Sequence, residues 1–372
     1  MKNQQINILI IDDNVDPLTL AVIRCLGMND RFVIHVLNLN NLLLPAFRVS
    51  KYVKSYIRGK AFEDENVFLL IKKTCENINA DIIIPVKEKT VRIVAERIDN
   101  CLEFTHVPPV PNPLTLELVR NKWLLYNWLY ENKLIFEKPI RLSDFRKNGK
   151  VNQNLRYPIL IKPFWGSGGR GITYIKDLNE LINYQAGKFF KQEELLVQTF
   201  IPGFDIDVSA LVENGEILAY NIPKDIAGKK KLAYSRSIEF LHNESLLNYA
   251  AKIFKKLEYT GIAHLDFRYD EDDKVYKLID FNARFWSSLL GSMNAGINFP
   301  LLYCQKALKT GNIISEYRTK KYYVTNNLIK ILMHGLSFKD TEVQYNLKDP
   351  LPLLINTFYW VIFYLKKLLF RR

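Results

Sequence analysis

The chain has 372 residues, 48% hydrophobic and 24% charged, which excludes a largely disordered protein and predicts two or three packed units. Its 52 basic and 39 acidic residues give a net charge of +13, which attracts phosphates, acidic metabolites, nucleic acid and anionic lipid alike and therefore selects no partner. The four cysteines are far apart and show neither metal-ligand nor disulfide spacing, so they favour a reducing, cytoplasmic location.

The first hundred residues alternate short apolar runs with helical patterns. Residues 6–11 form a β-branched run that ends in Asp12-Asp13, and a helical stretch and a second apolar run follow. This βαβ opening predicts a doubly wound α/β domain, and the lack of a glycine fingerprint argues against a dinucleotide site within it. A proline-rich segment at residues 107–113 interrupts the pattern, so the first domain is expected to span residues 1–112.

Residues 157–172, YPILIKPFWGSGGRGI, form the most informative stretch of the sequence. A predicted strand that ends at Lys162 runs into a glycine-rich turn whose backbone N–H groups can close over phosphate oxygens. The lysine precedes the glycines instead of following them, so this is not a P-loop and a different nucleotide-binding fold is required. Upstream, one helix is predicted over residues 114–131, and it carries Lys122.

Residues 195–211 place polar side chains along a strand. They read as an apolar strand, a turn and an alternating strand that puts Asp205, Asp207 and Ser209 on one face. Two acids on one strand face suggest a polar cleft. The alternative is that Asp207 lies on the solvent-exposed face of an edge strand.

Residues 261–288 predict a hairpin that offers oxygen ligands. Asp266 and Asp280 lie on its two strands, and Asn282 projects from the same side of the strand as Asp280. These hard oxygens suit Mg²⁺ that bridges phosphates. Arg284 continues the same face and can clamp a phosphate or a carboxylate.

Other polar residues are given ordinary structural roles. The acids at positions 270–273 are interpreted as solvated charges of the hairpin turn. His264 is expected to pack or to hydrogen-bond locally, and Lys229 to Lys231 are interpreted as a solvated loop.

In their order along the chain, these parts resemble the ATP-grasp superfamily, in particular the branch related to biotin carboxylase and the carbamoyl phosphate synthetase large chain. The resemblance implies a mixed α/β fold: a Rossmann-like pre-grasp domain at residues 1–112, followed by a two-lobed α+β ATP-grasp domain at residues 113–312. The latter comprises a linker helix, a lid lobe at about residues 150–202 and a metal-binding lobe at about residues 203–312. Residues 313–372 are left as a C-terminal extension. The single copy of the grasp unit argues against a complete carbamoyl phosphate synthetase.

The resemblance also implies roles for individual residues. ATP and Mg²⁺ or Mn²⁺ are the implied cofactors, with the metal held by Asp266, Asp280 and Asn282 and a catalytic arginine at Arg284. Both metal acids are aspartates where the family more often has glutamates. The residues implied to bind ATP are Lys122, Lys162, the loop residues Gly166, Ser167, Gly168, Gly169 and Gly171, the hinge residues Gln198, Thr199, Phe200 and Ile201, and Asp205 near the ribose.

The implied reaction is the joining of a carboxylate to an amine through an acyl phosphate, with ADP and phosphate released. Glu88 and Arg236 are the candidate substrate contacts by the same analogy. Two rivals stay open: an ATP-grasp kinase that phosphorylates without ligation, and a catalytically weak ATP-binding subunit that acts through a partner. Small-molecule carboxylates and amines are the expected partners, a homodimer is compatible with the resemblance, and no nucleic-acid motif is present.

The carboxyl-terminal run at residues 351–365 is apolar and is followed by four basic residues. It is shorter than the roughly 20 apolar residues of a spanning helix, and it contains Pro352 and Asn356. Two interpretations therefore remain: a segment that lies at the inner face of the membrane, or a final helix that packs on the core.

Overall fold

The computed structural model describes residues 5–13, 17–40, 45–59, 64–135, 137–147, 156–166, 168–184, 194–226, 237–311, 313 and 316–359. Within these residues the strands form three sheets, which we call the N-terminal sheet, the small sheet and the large sheet. The predicted mixed α/β fold is confirmed, and each sheet supplies part of one polar cleft.

The N-terminal sheet is parallel, with the strand order β3-β2-β1-β4. Its strands are β1 (Ile6–Asp12), β2 (Phe32–Asn38), β3 (Val53–Arg58) and β4 (Ile82–Pro85), and its helices are α1 (Pro17–Leu26), α2 (Asp64–Ile78), α3 (Glu88–Glu96) and α4 (Ile98–Leu102). Most of β1 and all of β4 are buried, as expected for a parallel sheet that helices cover on both faces. The strand order reverses between β1 and β4, so their carboxyl ends border the crevice where such sheets bind ligands.

Two helices, α5 (Pro113–Arg120) and α6 (Lys122–Glu131), replace the single helix predicted over residues 114–131, and that prediction was wrong. Asn121 separates them, because its backbone is extended and its side-chain oxygen accepts hydrogen bonds from two N–H groups in the first turn of α6. Asparagine is among the preferred helix N-caps. The break sets Lys122 at the first position of α6.

The small sheet is antiparallel, with the strand order β5-β8-β6-β7. Its strands are β5 (Ile140–Arg141), β6 (Ile159–Pro163), β7 (Thr173–Ile175) and β8 (Leu195–Thr199), and its helices are α7 (Leu142–Lys147) and α8 (Leu178–Asn183). It has a core of its own. This core contains Leu142, Ile159, Ile161, Ile175, Leu181, Leu195 and Val197.

The large sheet is antiparallel and has the strand order β13-β12-β9-β10-β11-β14. Its strands are β9 (Gly203–Glu213), β10 (Glu216–Asp225), β11 (Ser237–Leu241), β12 (Gly261–Asp270), β13 (Val275–Asn282) and β14 (Lys320–Tyr323). The helices α9 (Glu244–Leu257), α10 (Leu289–Ala295) and α11 (Phe299–Ala307) complete this part of the chain. Because β9 lies inside the sheet, the edge-strand interpretation of Asp207 is wrong.

The hairpin between β12 and β13 forms as predicted, but one of its turn acids is not solvated. Asp270 is only 2% exposed. Its carboxylate accepts hydrogen bonds from the backbone N–H groups of Asp272 and Asp273, and it lies 2.8 Å from the Lys277 ammonium. The acid therefore shapes the turn.

The C-terminal extension contains α12 (Leu328–Met333), α13 (Val343–Lys348) and helical residues 351–359. A buried network ties it to the N-terminal domain. Asp349 lies 3.3 Å from the Arg24 guanidinium, accepts a hydrogen bond from the Ser50 hydroxyl at 2.8 Å and is 1% exposed. None of the helices in the described part of the chain combines the length and the apolar character that a membrane span requires.

The N-terminal and large sheets share their hydrophobic interior. One buried cluster contains Ile10 of β1, Phe240 of β11 and Trp286, which follows β13. A second contains Ile11 of β1 and Phe281 of β13. These two sheets therefore form one continuous body, and the small sheet with its separate core lies against it.

Candidate active site

Three aspartates stand in one row across neighbouring strands of the large sheet. Asp207 of β9 is the partner of Asp266 of β12, which is in turn the partner of Asp280 of β13. Directly paired residues have Cβ atoms about 5 Å apart, so the three carboxylates crowd one another. Burial raises the pKa of Asp207, and the charge of Asp266 raises it further. Burial also raises the pKa of Asp280, which the nearby Lys122 ammonium opposes.

The amide of Asn282 joins the row to an arginine. Its Nδ2 donates to Oδ2 of Asp266 at 3.3 Å, while its Oδ1 accepts from Nη2 of Arg284 at 2.9 Å. Arg284 also donates to the carbonyl of Phe285 at 2.8 Å, which fixes the guanidinium at the end of the row. The structure thus brings together the predicted metal ligands Asp266, Asp280 and Asn282. Carboxylate and amide oxygens are the ligands that Mg²⁺ and Mn²⁺ prefer, and here the two carboxylates face each other while the Asn282 oxygen is turned to Arg284.

Lys122 connects this row to the glycine-rich loop. Its ammonium lies 2.9 Å from Oδ1 of Asp280 and donates to the carbonyl of Gly166 at 2.8 Å. Its backbone N–H donates to the carbonyl of Phe164 at 2.9 Å, so the first turn of α6 is held against the small sheet.

Lys162 lies at the end of β6 and belongs to a buried chain of hydrogen bonds. Its ammonium donates to Oε1 of Gln198 at 2.6 Å, and Nε2 of Gln198 donates to the Tyr126 hydroxyl at 3.2 Å. Tyr126 in turn donates to the backbone carbonyls of residues 278 and 279 on β13. Burial lowers the pKa of Lys162 to about 8, and the neighbouring Lys122 contributes to the lowering. Nothing in the sequence distinguishes Tyr126 from any other aromatic residue of a predicted helix, so its part in the site was not predicted.

The glycine-rich loop has the backbone that its composition predicts. Gly166, Gly168, Gly169 and Gly171 all have positive φ, at +120°, +70°, +72° and +76°. Side chains at these positions would strain the loop, because L-residues rarely adopt this region. A Cβ at Gly166 would meet nothing within 4 Å, so the glycine serves the conformation there and leaves the approach to its backbone open. Ser167 lies outside the described residues.

The predicted hinge runs from Gln198 to Ile201 and is fixed by an arginine that sequence reasoning missed. Arg268 of β12 donates to the carbonyl of Ile201 at 2.6 Å and to the carbonyl of Gly203 at 2.6 Å, and it contacts Asp205 at 2.5 Å. Its guanidinium also lies 5.5 Å from the Phe200 ring centre. The predicted ribose acid is therefore held next to the hinge. Alternation along β12 puts residue 268 on the same face as residues 264 and 266, but only the pairing of β12 with β9 brings Arg268 to the hinge.

Two hinge residues have more limited contacts. Thr199 ends β8, where it pairs with Ile159 of β6. The backbone N–H of Phe200 donates to the carbonyl of Pro158 at 2.9 Å, and its ring meets Tyr174 edge-on. These contacts hold the hinge to the small sheet.

His264 packs and hydrogen-bonds locally, as the sequence analysis expected. Its Nδ1 lies 2.9 Å from the Ser209 hydroxyl, and its ring stacks on Trp286 at 5.3 Å between centres. Its Nε2 lies 3.1 Å from Oδ1 of Asp266. The ligand atoms of Asp207, His264 and Asp266 all lie within 4.8 Å of one another, so the ring is a further member of the polar row.

The N-terminal domain faces this row across the crevice between β1 and β4. Glu88 begins α3, and its carboxylate lies 3.3 Å from Arg120 and 3.6 Å from Arg284. Burial, together with the Arg284 charge, lowers the pKa of the adjacent Lys87 to about 8. The predicted substrate residue Glu88 therefore joins the site through Arg284. Arg236 and Lys229 to Lys231 lie outside the described residues.

Sequence comparison agrees with this geometry. Residues 191–328 match the model of a family described as ATP-grasp in the biosynthetic pathway with Ter operon. The chain is 24% identical over 225 residues to a carbamoyl-phosphate synthase of Methanobrevibacter smithii, a match that covers 58% of this chain and 53% of the relative. The chain thus spans about half of the length of this curated relative.

Two solved structures share the fold over most of both chains. The L-amino acid ligase of Bacillus licheniformis has a TM-score of 0.63 at 20% identity, over 87% of this chain and 80% of its own. The biotin carboxylase domain of Hydrogenobacter thermophilus 2-oxoglutarate carboxylase, a dimer in complex with MgADP, ADP and bicarbonate, has a TM-score of 0.63 at 17% identity, over 84% and 72%. The chain contains an ATP-grasp domain, and the predicted resemblance is confirmed.

Proposed function

We propose that this protein is an ATP-dependent ligase that activates a carboxylate as an acyl phosphate and joins it to an amine. The observation that carries the proposal is the juxtaposition of Asp266, Asp280 and Asn282 with Lys122, which contacts both Asp280 and the glycine-rich loop. The Lys122 ammonium and the carboxylates of Asp266 and Asp280 therefore lie together between the large sheet and the glycine-rich loop of the small sheet. Similarity in fold to an L-amino acid ligase and in sequence to a carbamoyl-phosphate synthase supports the same chemistry.

The donor set fits a divalent cation. Asp280 and Asp207 are acids whose pKa burial raises, so a cation beside them would stabilise their ionised forms. In the proposal, Asp266, Asp280 and Asn282 hold Mg²⁺ or Mn²⁺. The bound ion supplies positive charge to the phosphate oxygens of the nucleotide.

The protein's own residues bind and orient the nucleotide. Lys122, Lys162 and the backbone N–H groups of the glycine-rich loop neutralise and position the phosphates. The hinge at residues 198–201 receives the adenine, and Asp205 accepts a hydrogen bond from the ribose. The contacts that set each group at the edge of one cleft support these roles.

The proposed reaction has two displacements. A carboxylate oxygen of the substrate attacks the γ-phosphorus of ATP, the bond between that phosphorus and the β-phosphate bridging oxygen breaks, and ADP leaves. The amine nitrogen then attacks the acyl carbon, the bond between that carbon and the phosphate oxygen breaks, and the departing phosphate takes the proton of the nitrogen. Arg284, held between Glu88 and Asn282, is placed to bind the substrate carboxylate.

Nucleotide affinity is expected to fall as the pH rises through about 8, the pKa to which burial lowers Lys162. Below that pH the ammonium is charged and attracts phosphate; above it the charge is lost, so the affinity for MgADP should drop by up to about tenfold per pH unit. Calorimetric titration between about pH 7 and pH 9 measures the effect. In Lys162→Arg the side chain stays charged, so its affinity should change less over this interval. Equal pH profiles for the two proteins would contradict the role of Lys162.

The test of the reaction uses a carboxylate labelled with heavy oxygen. The purified protein is incubated with ATP, Mg²⁺ and a panel of carboxylates and amines, and the release of ADP and phosphate is followed. The ligase requires both a carboxylate and an amine for turnover, and it transfers one labelled oxygen from the carboxylate to the released phosphate. Mass spectrometry of the phosphate reads this transfer directly.

Other outcomes identify the two rivals. A stable phosphorylated product formed without amine would identify a kinase. Nucleotide binding without turnover across the panel would identify an ATP-binding subunit that acts through a partner. Turnover with amine but without label in the phosphate would exclude the acyl phosphate.

A further inference from the structure

The α12 helix of the C-terminal extension presents large apolar side chains to solvent. They occupy adjacent positions on successive turns, which places them on one side of the helix. These residues are Leu328, Ile329, Leu332 and Met333, exposed at 52%, 69%, 73% and 77%. Scattered single apolar residues on a surface are normal, but a continuous exposed face marks an interaction site.

The final described helix, residues 351–359, repeats this arrangement. Leu351, Leu354 and Phe358 are spaced by three and four positions, so they share one side, and they are 52%, 61% and 60% exposed. Pro352 is buried and anchors the start of the helix. The helix therefore exposes this side, and residues 360–365 of the run for which core packing was one interpretation lie outside the described residues.

Residues that precede the two helices are in contact. Asn326, two residues before α12, contacts both Asn346 of α13 and the carboxylate of Glu342. Residues 351–359 start five positions after Asn346, so both apolar faces extend from one anchored region.

The exposed charged residues described in the same segment are basic. Within residues 324–359, Lys339 and Lys348 are exposed. The acids of the same segment are engaged: Asp340 with Lys320, Glu342 with Asn326 and Asp349 with Arg24. Residues 360–372 add four basic residues and no acid.

We propose that the apolar faces of α12 and of residues 351–359 dock on an anionic lipid bilayer, in the interfacial region and without crossing it. Apolar faces in a segment whose exposed charges are lysines match that boundary, where hydrocarbon lies beneath negatively charged headgroups. A neutral protein partner would need the apolar face but not the surplus of basic residues. The docking surface goes beyond the proposed ligase activity and stands whether or not that activity is found.

Co-sedimentation of the full chain with lipid vesicles tests the proposal. The protein should bind vesicles of phosphatidylcholine and phosphatidylglycerol in equal amounts, bind pure phosphatidylcholine at least tenfold more weakly, and lose affinity as salt screens the headgroups. The double variant Leu332→Glu/Met333→Glu and the variant Leu354→Glu should each bind anionic vesicles at least tenfold more weakly. Leu114→Glu is the matched control, because Leu114 is 84% exposed on α5, outside the extension.

Each variant should unfold at the same midpoint temperature as the wild-type protein, which would show that the substitution changes the surface and not the fold. Failure of the wild-type chain to sediment with anionic vesicles would overturn the proposal. So would a dimer, measured by light scattering without lipid, that the α12 variant abolishes, because a second copy of the chain would then be what covers these faces.

Discussion

The Asp280→Asn variant is expected to lose about a thousandfold in ATP-dependent turnover while it keeps its fold. The substitution preserves the shape of the side chain but removes the charge that lies 2.9 Å from the Lys122 ammonium and beside Asp266. Removal of one preorganised electrostatic group of this kind costs roughly a hundredfold to a thousandfold in rate. Steady-state ADP release, measured on the substrate pair that the wild-type protein accepts, gives the ratio.

The matched control for this variant is Asp272→Asn. Asp272 lies on the same hairpin, but its carboxylate is half exposed and contacts the exposed Arg156. Its turnover should stay within about twofold of the wild type, since an exposed ion pair contributes little. Equal losses in the two variants would mean that the hairpin fold, and not the Asp280 charge, matters. Near-normal turnover of Asp280→Asn would remove this acid from the proposed metal site.

The Asp349→Ala variant is expected to lower the free energy of unfolding by about 3 kcal/mol, because it leaves a buried arginine without its counter-charge. Arg24 is 5% exposed, and Asp349 contacts it as well as the Ser50 hydroxyl and the Lys51 backbone N–H. Urea denaturation followed by circular dichroism measures the loss.

Asp340→Ala is the control for that measurement. Asp340 forms a partly exposed ion pair with Lys320 in the same extension, so its removal should cost less than about 1 kcal/mol. A similar effect in the two variants would show that the buried network does not stabilise the attachment of the extension.

The sequence predicted those parts of the fold whose signals are local. β1 and β4 are continuous buried runs, and the β12–β13 hairpin shows the alternation that places Asp280 and Asn282 on one side. β3 was missed, because it is only partly buried at the edge of its sheet and its polar and apolar residues do not alternate regularly. The break at Asn121 was missed because a helical periodicity hides a single N-cap residue.

Contacts between residues that are far apart in the chain could not be predicted from the sequence. Arg24 and Asp349 are 325 positions apart, and no spacing rule connects them. Arg268 and its hinge partners are likewise joined only by the pairing of β9 with β12. The acids that we propose to bind metal could be predicted because they lie on one hairpin, whereas Tyr126 and Gln198 meet only when the small sheet folds against the large one.

The separate core of the small sheet has a mechanical consequence. The N-terminal sheet and the large sheet are joined by shared buried side chains and by the Arg24–Asp349 network, so a rotation between them would have to break tightly packed contacts. The small sheet has an interior of its own, to which Ile159, Ile175 and Val197 belong, while Leu196 of β8 joins the core that the other two sheets share. A closure of the cleft over a substrate is therefore expected to move the small sheet as one unit and to change the contacts of Leu196. Such a movement would carry Lys162, whereas Asp266 and Asp280 would stay with the large sheet.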